Sequence, residues 1–170
     1  MIETIQREAV IAAALAWRGT PFHHEAMVKG AGVDCGMFLI AVYREAGLIP
    51  HFTVEHYSHQ WQLHRTREWY LEYLRQFGRE VEEREQGPGD VVIWKLGRVF
   101  SHAAIILDWP QVIHAVNGMG VIIESVDSAL RLIGRPRKFF SPFSGSEQRA
   151  ASSEQLLLTA HCSPPTGLKT

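Results

Sequence analysis

Residues 87–107 read GPGDVVIWKLGRVFSHAAIIL, and within them the pattern of the chain changes. Before Gly87 the apolar residues recur at helical spacing; after Asp90 they come in short β-branched runs. Gly87-Pro88-Gly89-Asp90 is a strong turn signal. Val91 to Lys95 and Val99 to Leu107 follow it, then Val112 to Val116 and Val121 to Val126, with turn residues between them. Runs of this length and spacing predict an antiparallel sheet, and Arg137 to Phe140 adds a further strand.

Working back toward the N-terminus, Glu3 to Trp17 reads as a first helix whose stripe is Ile5, Val10, Ala13, Ala14 and Trp17. Gly19-Thr20-Pro21 stops it. A second helix runs from about Cys35 to Ala46, with Asp34 placed to cap its start, Gly47 at its end, and Pro50 preventing continuation. Its apolar residues lie on nearly every face, which predicts a central buried helix. Residues 51–88 are polar, aromatic and histidine-rich; Trp69, Tyr73, Leu74 and Phe77 predict an amphipathic helix over about Glu68 to Gly78. Glu80 to Glu85 reads most simply as a solvated helix end. From Ser141 the chain is rich in Ser, Pro, Gly and Gln. The expected organisation is one α+β domain over residues 1–140, with 51–85 as a helical insertion or lid and 141–170 as a polar tail.

The totals narrow the function. A chain of 170 residues with 46% hydrophobic and 21% charged residues fits one soluble domain. A net charge of -1 gives no electrostatic case for nucleic acid or an anionic membrane as partner. No apolar run approaches the roughly 20 residues of a membrane span. The start, Met1 to Glu8, lacks the apolar core of a signal peptide, so synthesis in the cytoplasm is the expectation. Two cysteines, Cys35 and Cys162, read as free thiols.

Cys35 has two readings. A cysteine beside an apolar helix is commonly inert filling. At a first helical turn, however, the unpaired amides and the dipole favour a thiolate, which predicts a lowered pKa, and the same amides can hold an oxyanion. Gly36 leaves space beside the sulfur. A nucleophile needs a base, and the base an orienting partner. His102 and His114 lie on successive strands, and pairing Ala104 with His114 sets both rings on one face. A slip of one residue separates them. Strand histidines also serve purely structural roles.

Asp34-Cys35-Gly36, Pro88-Gly89-Asp90-Val91, Ser101 to Ile106 and Val112-Ile113-His114-Ala115 together resemble the NlpC-type cysteine peptidases, papain-like enzymes that cleave cell-wall peptides. Trp17 to His24 and Tyr57 to Arg65 are similar to the branch found in phage tails, prophages and gene transfer agents. The resemblance covers about residues 5–140. It implies a papain-like fold in which the nucleophile helix packs on an antiparallel sheet. It also implies Cys35 as nucleophile, His102 as general base and His114 as the residue orienting it. Phe22, His24, Asp34, Gly36 and Ser101 are the expected substrate contacts. Two departures stand out: Gly36 where serine is common, and Phe22 where a tyrosine is often found.

The implied reaction is hydrolysis of a peptidoglycan stem peptide through a thioester, with the bond between D-γ-glutamate and the diamino acid favoured. No cofactor or metal is expected. His51, His56, His59 and His64, with His161 and Cys162, supply no complete zinc ligand pattern. Phage tail proteins are the expected partners, with a tail particle carrying the chain to the wall. The rivals are a non-catalytic tail assembly or binding component, and a related thioester amidase or acyltransferase.

Overall fold

The computed structural model describes residues 1–52, 54 and 68–143. Among them are three helices, α1 (Ile2–Ala16), α2 (Cys35–Glu45) and α3 (Trp69–Phe77). Eight strands accompany them: β1 (Met27–Val28), β2 (Gly32–Val33), β3 (Arg79–Val81), β4 (Val91–Leu96), β5 (Val99–Asp108), β6 (Gln111–Val116), β7 (Gly120–Ser125) and β8 (Arg137–Ser141). The first two form a small ribbon; the other six form an antiparallel sheet in the order β3-β8-β4-β5-β6-β7. This is the α+β, papain-like arrangement expected.

The sheet has two buried faces because its strands carry apolar residues at both parities. On one face Val91, Ile93, Ala103, Ile105, Ile113 and Ala115 meet α2, chiefly Phe38, Val42 and Tyr43, together with Val10 and Ala14 of α1. On the other, Val92, Trp94, Ala104, Ile106 and Val112 are covered by Val126, Ala129 and Leu132 from the segment between β7 and β8. Helix α2 is thus the central buried helix. Its Tyr43 hydroxyl donates to the Gly89 carbonyl at 2.7 Å, fixing the helix to the turn before β4.

Three expectations change. Ile5 does not join the α1 stripe: it is 61% exposed, because α1 leaves the core beyond Val10 toward its N-terminus. Residues 80–85 are not a helix end; Arg79–Val81 is an edge strand on β8, followed by a 3-10 turn at Glu83–Glu85. Its charged residues suit an edge, where Lys138 of β8 pairs with Glu80. Core packing also passes residue 140: Ser141 and Phe143 are buried, and Phe143 joins the core. Helix α3 occupies the predicted position, while residues 53 and 55–67 of the expected lid, with His56, His59 and His64, lie outside the described residues, as do His161 and Cys162. Among the described residues no helix is long and apolar enough to cross a membrane.

Candidate active site

Cys35 is the first residue of α2, and the cap before it organises the site. Asp34 Oδ1 accepts from the amides of Gly36 and Met37 at 3.0 and 2.9 Å. Its Oδ2 accepts from the Glu25 amide at 2.8 Å and lies 3.5 Å from His24 Nδ1. One buried carboxylate therefore closes the helix end and binds the preceding loop to it. The expectation that several first-turn amides face a substrate is corrected accordingly: Asp34 occupies those of Gly36 and Met37. The Cys35 amide makes no hydrogen bond among the described residues and remains the donor beside the sulfur.

The Cys35 thiol donates to the Ser101 carbonyl at 3.8 Å, which places sulfur over the start of β5. The expected lowering of its pKa does not occur. Burial, and next the charge of Asp34, push the thiol up from 9.0 to about 12, against the smaller opposing effects of the Ala103 and Gly36 amides and the Tyr70 hydroxyl. Dipole arguments see the helix end but not the depth at which it is buried. Cys35 retains intermediate exposure and lines the cavity.

The histidines stand as the strand pattern requires. The β5–β6 register pairs Ile105 with Ile113 and Ile106 with Val112, which carried one step further sets Ala104 opposite His114. His102 Nε2 and His114 Nδ1 are 2.8 Å apart. The second nitrogen of His114, Nε2, lies 2.7 Å from Glu124 Oε1 on β7, and the same carboxylate oxygen pairs with Arg131. Burial is the largest cause driving both rings down to about 3; Arg131 adds to it for each, and His114 adds to it for His102. Glu124 alone would favour an imidazolium at His114, but Arg131 on the same oxygen offsets its charge. The resting pair is neutral.

These groups meet at one end of the sheet, where β4 ends, β5 begins and β6 ends, so residues of both faces reach a shared cavity of about 400 Å³. Cys35, His102, Phe22, His24, Asp34, Gly36 and Ser101 all line it. His114 does not; it is wholly buried behind His102. Ser101 offers its backbone more than its hydroxyl, which donates to the Leu96 carbonyl at 3.2 Å. Phe22 contributes an apolar ring packed on the core. Leu39, Ile49, Tyr73 and Phe77 make much of the remaining wall apolar.

Three residues stand at the site that the sequence does not place there; of these, Tyr70 reads from sequence as a core or helix-packing aromatic. Glu124 was accessible to the strand argument: β6 pairs Val112 with Glu124 and His114 with Ile122, so the parity used for the histidines extends to β7. Arg131, on an irregular segment, gave no such signal. Tyr70, at the start of α3, donates its hydroxyl to the Cys35 carbonyl at 3.1 Å. It brings a phenol to the sulfur's surroundings where Phe22 has none.

Chemically, a thiol that shares a cavity with a histidine whose far nitrogen is held by a second polar group has the components of nucleophilic acyl transfer. The model of the NlpC/P60 family matches residues 19–131, a span that includes Cys35, His102, His114, Glu124 and Arg131. The chain belongs to the NlpC/P60 family. The fold is shared with solved NlpC/P60 domains at low identity. That of the peptidoglycan hydrolase SagA has a TM-score of 0.54 and 21% identity, covering 79% of this chain and 97% of that one. The P60 domain of an antigen of Mycobacterium avium subspecies paratuberculosis has a TM-score of 0.56 and 15% identity, covering 85% and 100%. RipD of Mycobacterium tuberculosis, described as a non-catalytic NlpC/p60 domain protein adapted to peptidoglycan binding, has a TM-score of 0.51 and 18% identity, covering 80% and 96%. No curated protein sequence matches the chain.

Proposed function

We propose that this NlpC/P60 domain is a cysteine peptidase acting on the peptide stems of peptidoglycan. The observation that carries the reading is that His102, which lines one cavity with Cys35, is held from behind by the buried His114 at 2.8 Å. Catalysis begins from a neutral thiol and a neutral imidazole. Cys35 leaves the Ser101 carbonyl, passes its proton to His102 Nδ1 and attacks the peptide carbonyl carbon. The Cys35 amide donates to the resulting oxyanion. His102 then protonates the leaving amine as the C–N bond breaks, giving a thioester. In the second half His102 takes a proton from water, the hydroxide attacks the thioester, and the thiol is restored with release of a carboxylate.

The favoured bond is that between D-γ-glutamate and the diamino acid, with Phe22, His24, Asp34, Gly36 and Ser101 around the substrate. Digestion of purified peptidoglycan followed by mass spectrometry tests this: new amine and carboxylate ends at that bond are expected, and none with Cys35→Ala. Intact wall after prolonged incubation with folded protein would refute it and favour the binding role described for RipD. An acyltransferase or an amidase of another substrate is distinguished by the products. Delivery on a phage tail, suggested by Trp17 to His24, predicts the chain in purified particles; particles that lack it and infect equally well would refute delivery.

A further inference from the structure

The sequence of contacts beyond His114 carries a consequence for which proton sits where. A carboxylate only accepts hydrogen bonds, so Glu124 Oε1 at 2.7 Å requires a proton on His114 Nε2. A neutral His114 then has a bare Nδ1, and Nδ1 at 2.8 Å from His102 Nε2 must accept, which places the His102 proton on Nε2. The bare nitrogen of His102 is therefore Nδ1, the one left to take the thiol proton. Arg131 pairs with the same Glu124 oxygen and so holds that carboxylate turned toward His114. The β6–β7 register makes the placement rigid, since His114 and Glu124 are diagonal neighbours on one face.

We infer that Glu124, held by Arg131, is a positioning residue that sets the tautomers of both histidines and so keeps His102 Nδ1 free of a proton. The inference deepens the peptidase reading but is testable apart from it, because a ring's proton positions and a thiol's reactivity need no wall substrate. In a Cys162→Ser background, long-range proton–nitrogen NMR of the imidazoles reads the tautomers directly. The wild type is expected to show both rings protonated at Nε2 and bare at Nδ1. Glu124→Ala removes the acceptor; its rings are expected to populate both tautomers, and alkylation of Cys35 by iodoacetamide at pH 7 is expected to slow about tenfold, a fraction of what a general base contributes. Glu124→Gln keeps an acceptor oxygen for His114 and Arg131, so its loss is expected to be smaller, about two- to threefold. On cell-wall peptides the loss should fall on kcat and leave KM in place.

A wild-type His102 protonated at Nδ1 overturns the inference without any variant having to fold. So does a folded Glu124→Ala protein with unchanged tautomers and alkylation within twofold of wild type. If the tautomers and alkylation behave as expected while no wall peptide is cleaved, the peptidase reading fails and the positioning role stands.

Discussion

Replacing Asp34 by asparagine separates two roles of one carboxylate. The asparagine oxygen can keep the Gly36 and Met37 amides, which Asp34 Oδ1 now holds at 3.0 and 2.9 Å. The new NH2 group then faces the Glu25 amide, 2.8 Å from the present Oδ2, donor against donor. A buried amide left without its acceptor costs about 1–3 kcal/mol. At about 2–4 °C per kcal/mol for a chain of this size, a loss near 2 kcal/mol lowers Tm by about 4–8 °C. The second role moves the other way. The Asp34 charge is, after burial, the next largest cause holding the Cys35 thiol up, so removing it lowers the thiol pKa. Alkylation of Cys35 against pH, read by mass spectrometry, should shift to lower pH even as the fold weakens. An alkylation midpoint that stays in place, or rises, would refute the electrostatic account. Greater access through partial unfolding is controlled by a variant of similar instability remote from the thiol.

Val126→Ala supplies that control: Val126 is buried on the sheet face away from α2 and lies outside the cavity lining. Removing its two methyl groups from the core should cost about 2 kcal/mol, visible as a lower urea midpoint with no shift of the alkylation midpoint. Tyr70→Phe removes the hydroxyl on the Cys35 carbonyl and beside its sulfur. It should lower kcat about tenfold, with partial recovery on adding Phe22→Tyr; unchanged kcat would show that the phenol serves packing alone. The histidines predict acid sensitivity. Their folded pKa values, about 3, lie below the usual 6.5. The unfolded chain therefore binds protons that the folded one refuses, and stability is lost as pH falls from about 6.5 toward 3. The urea midpoint should decline across that window, less steeply in a His102→Asn, His114→Asn double variant.

Much of the architecture was legible because it rests on local pattern. The turn at Gly87 to Asp90 and the β-branched runs after it mark β4 to β7, and strand parity places His102 and His114 together. What escaped depends on tertiary context. Arg79–Val81 is too short and too charged to read as a strand until β8 supplies its partner. Ser141 to Phe143 look like the start of a polar tail, yet Phe143 packs into the core and lies against Arg7. The thiol pKa went the other way because a helix N-terminus is visible in sequence and the depth of its burial is not. Glu124 lay within reach of the same parity argument, one strand further on.

Strand β8 arrives late in the chain but is seated between β3 and β4. Its Phe139 and Phe140 belong to opposite faces of the sheet, so this one strand helps complete both apolar layers. Until residue 141 is present, β3 has no neighbour and β4 offers an open edge with apolar residues on either side. A chain nicked or cut short before Arg137 would keep Cys35, both histidines and Glu124, and yet present an unpaired strand ready to join another copy. Loss of those few residues would then be seen as aggregation, with every catalytic group still in the polypeptide.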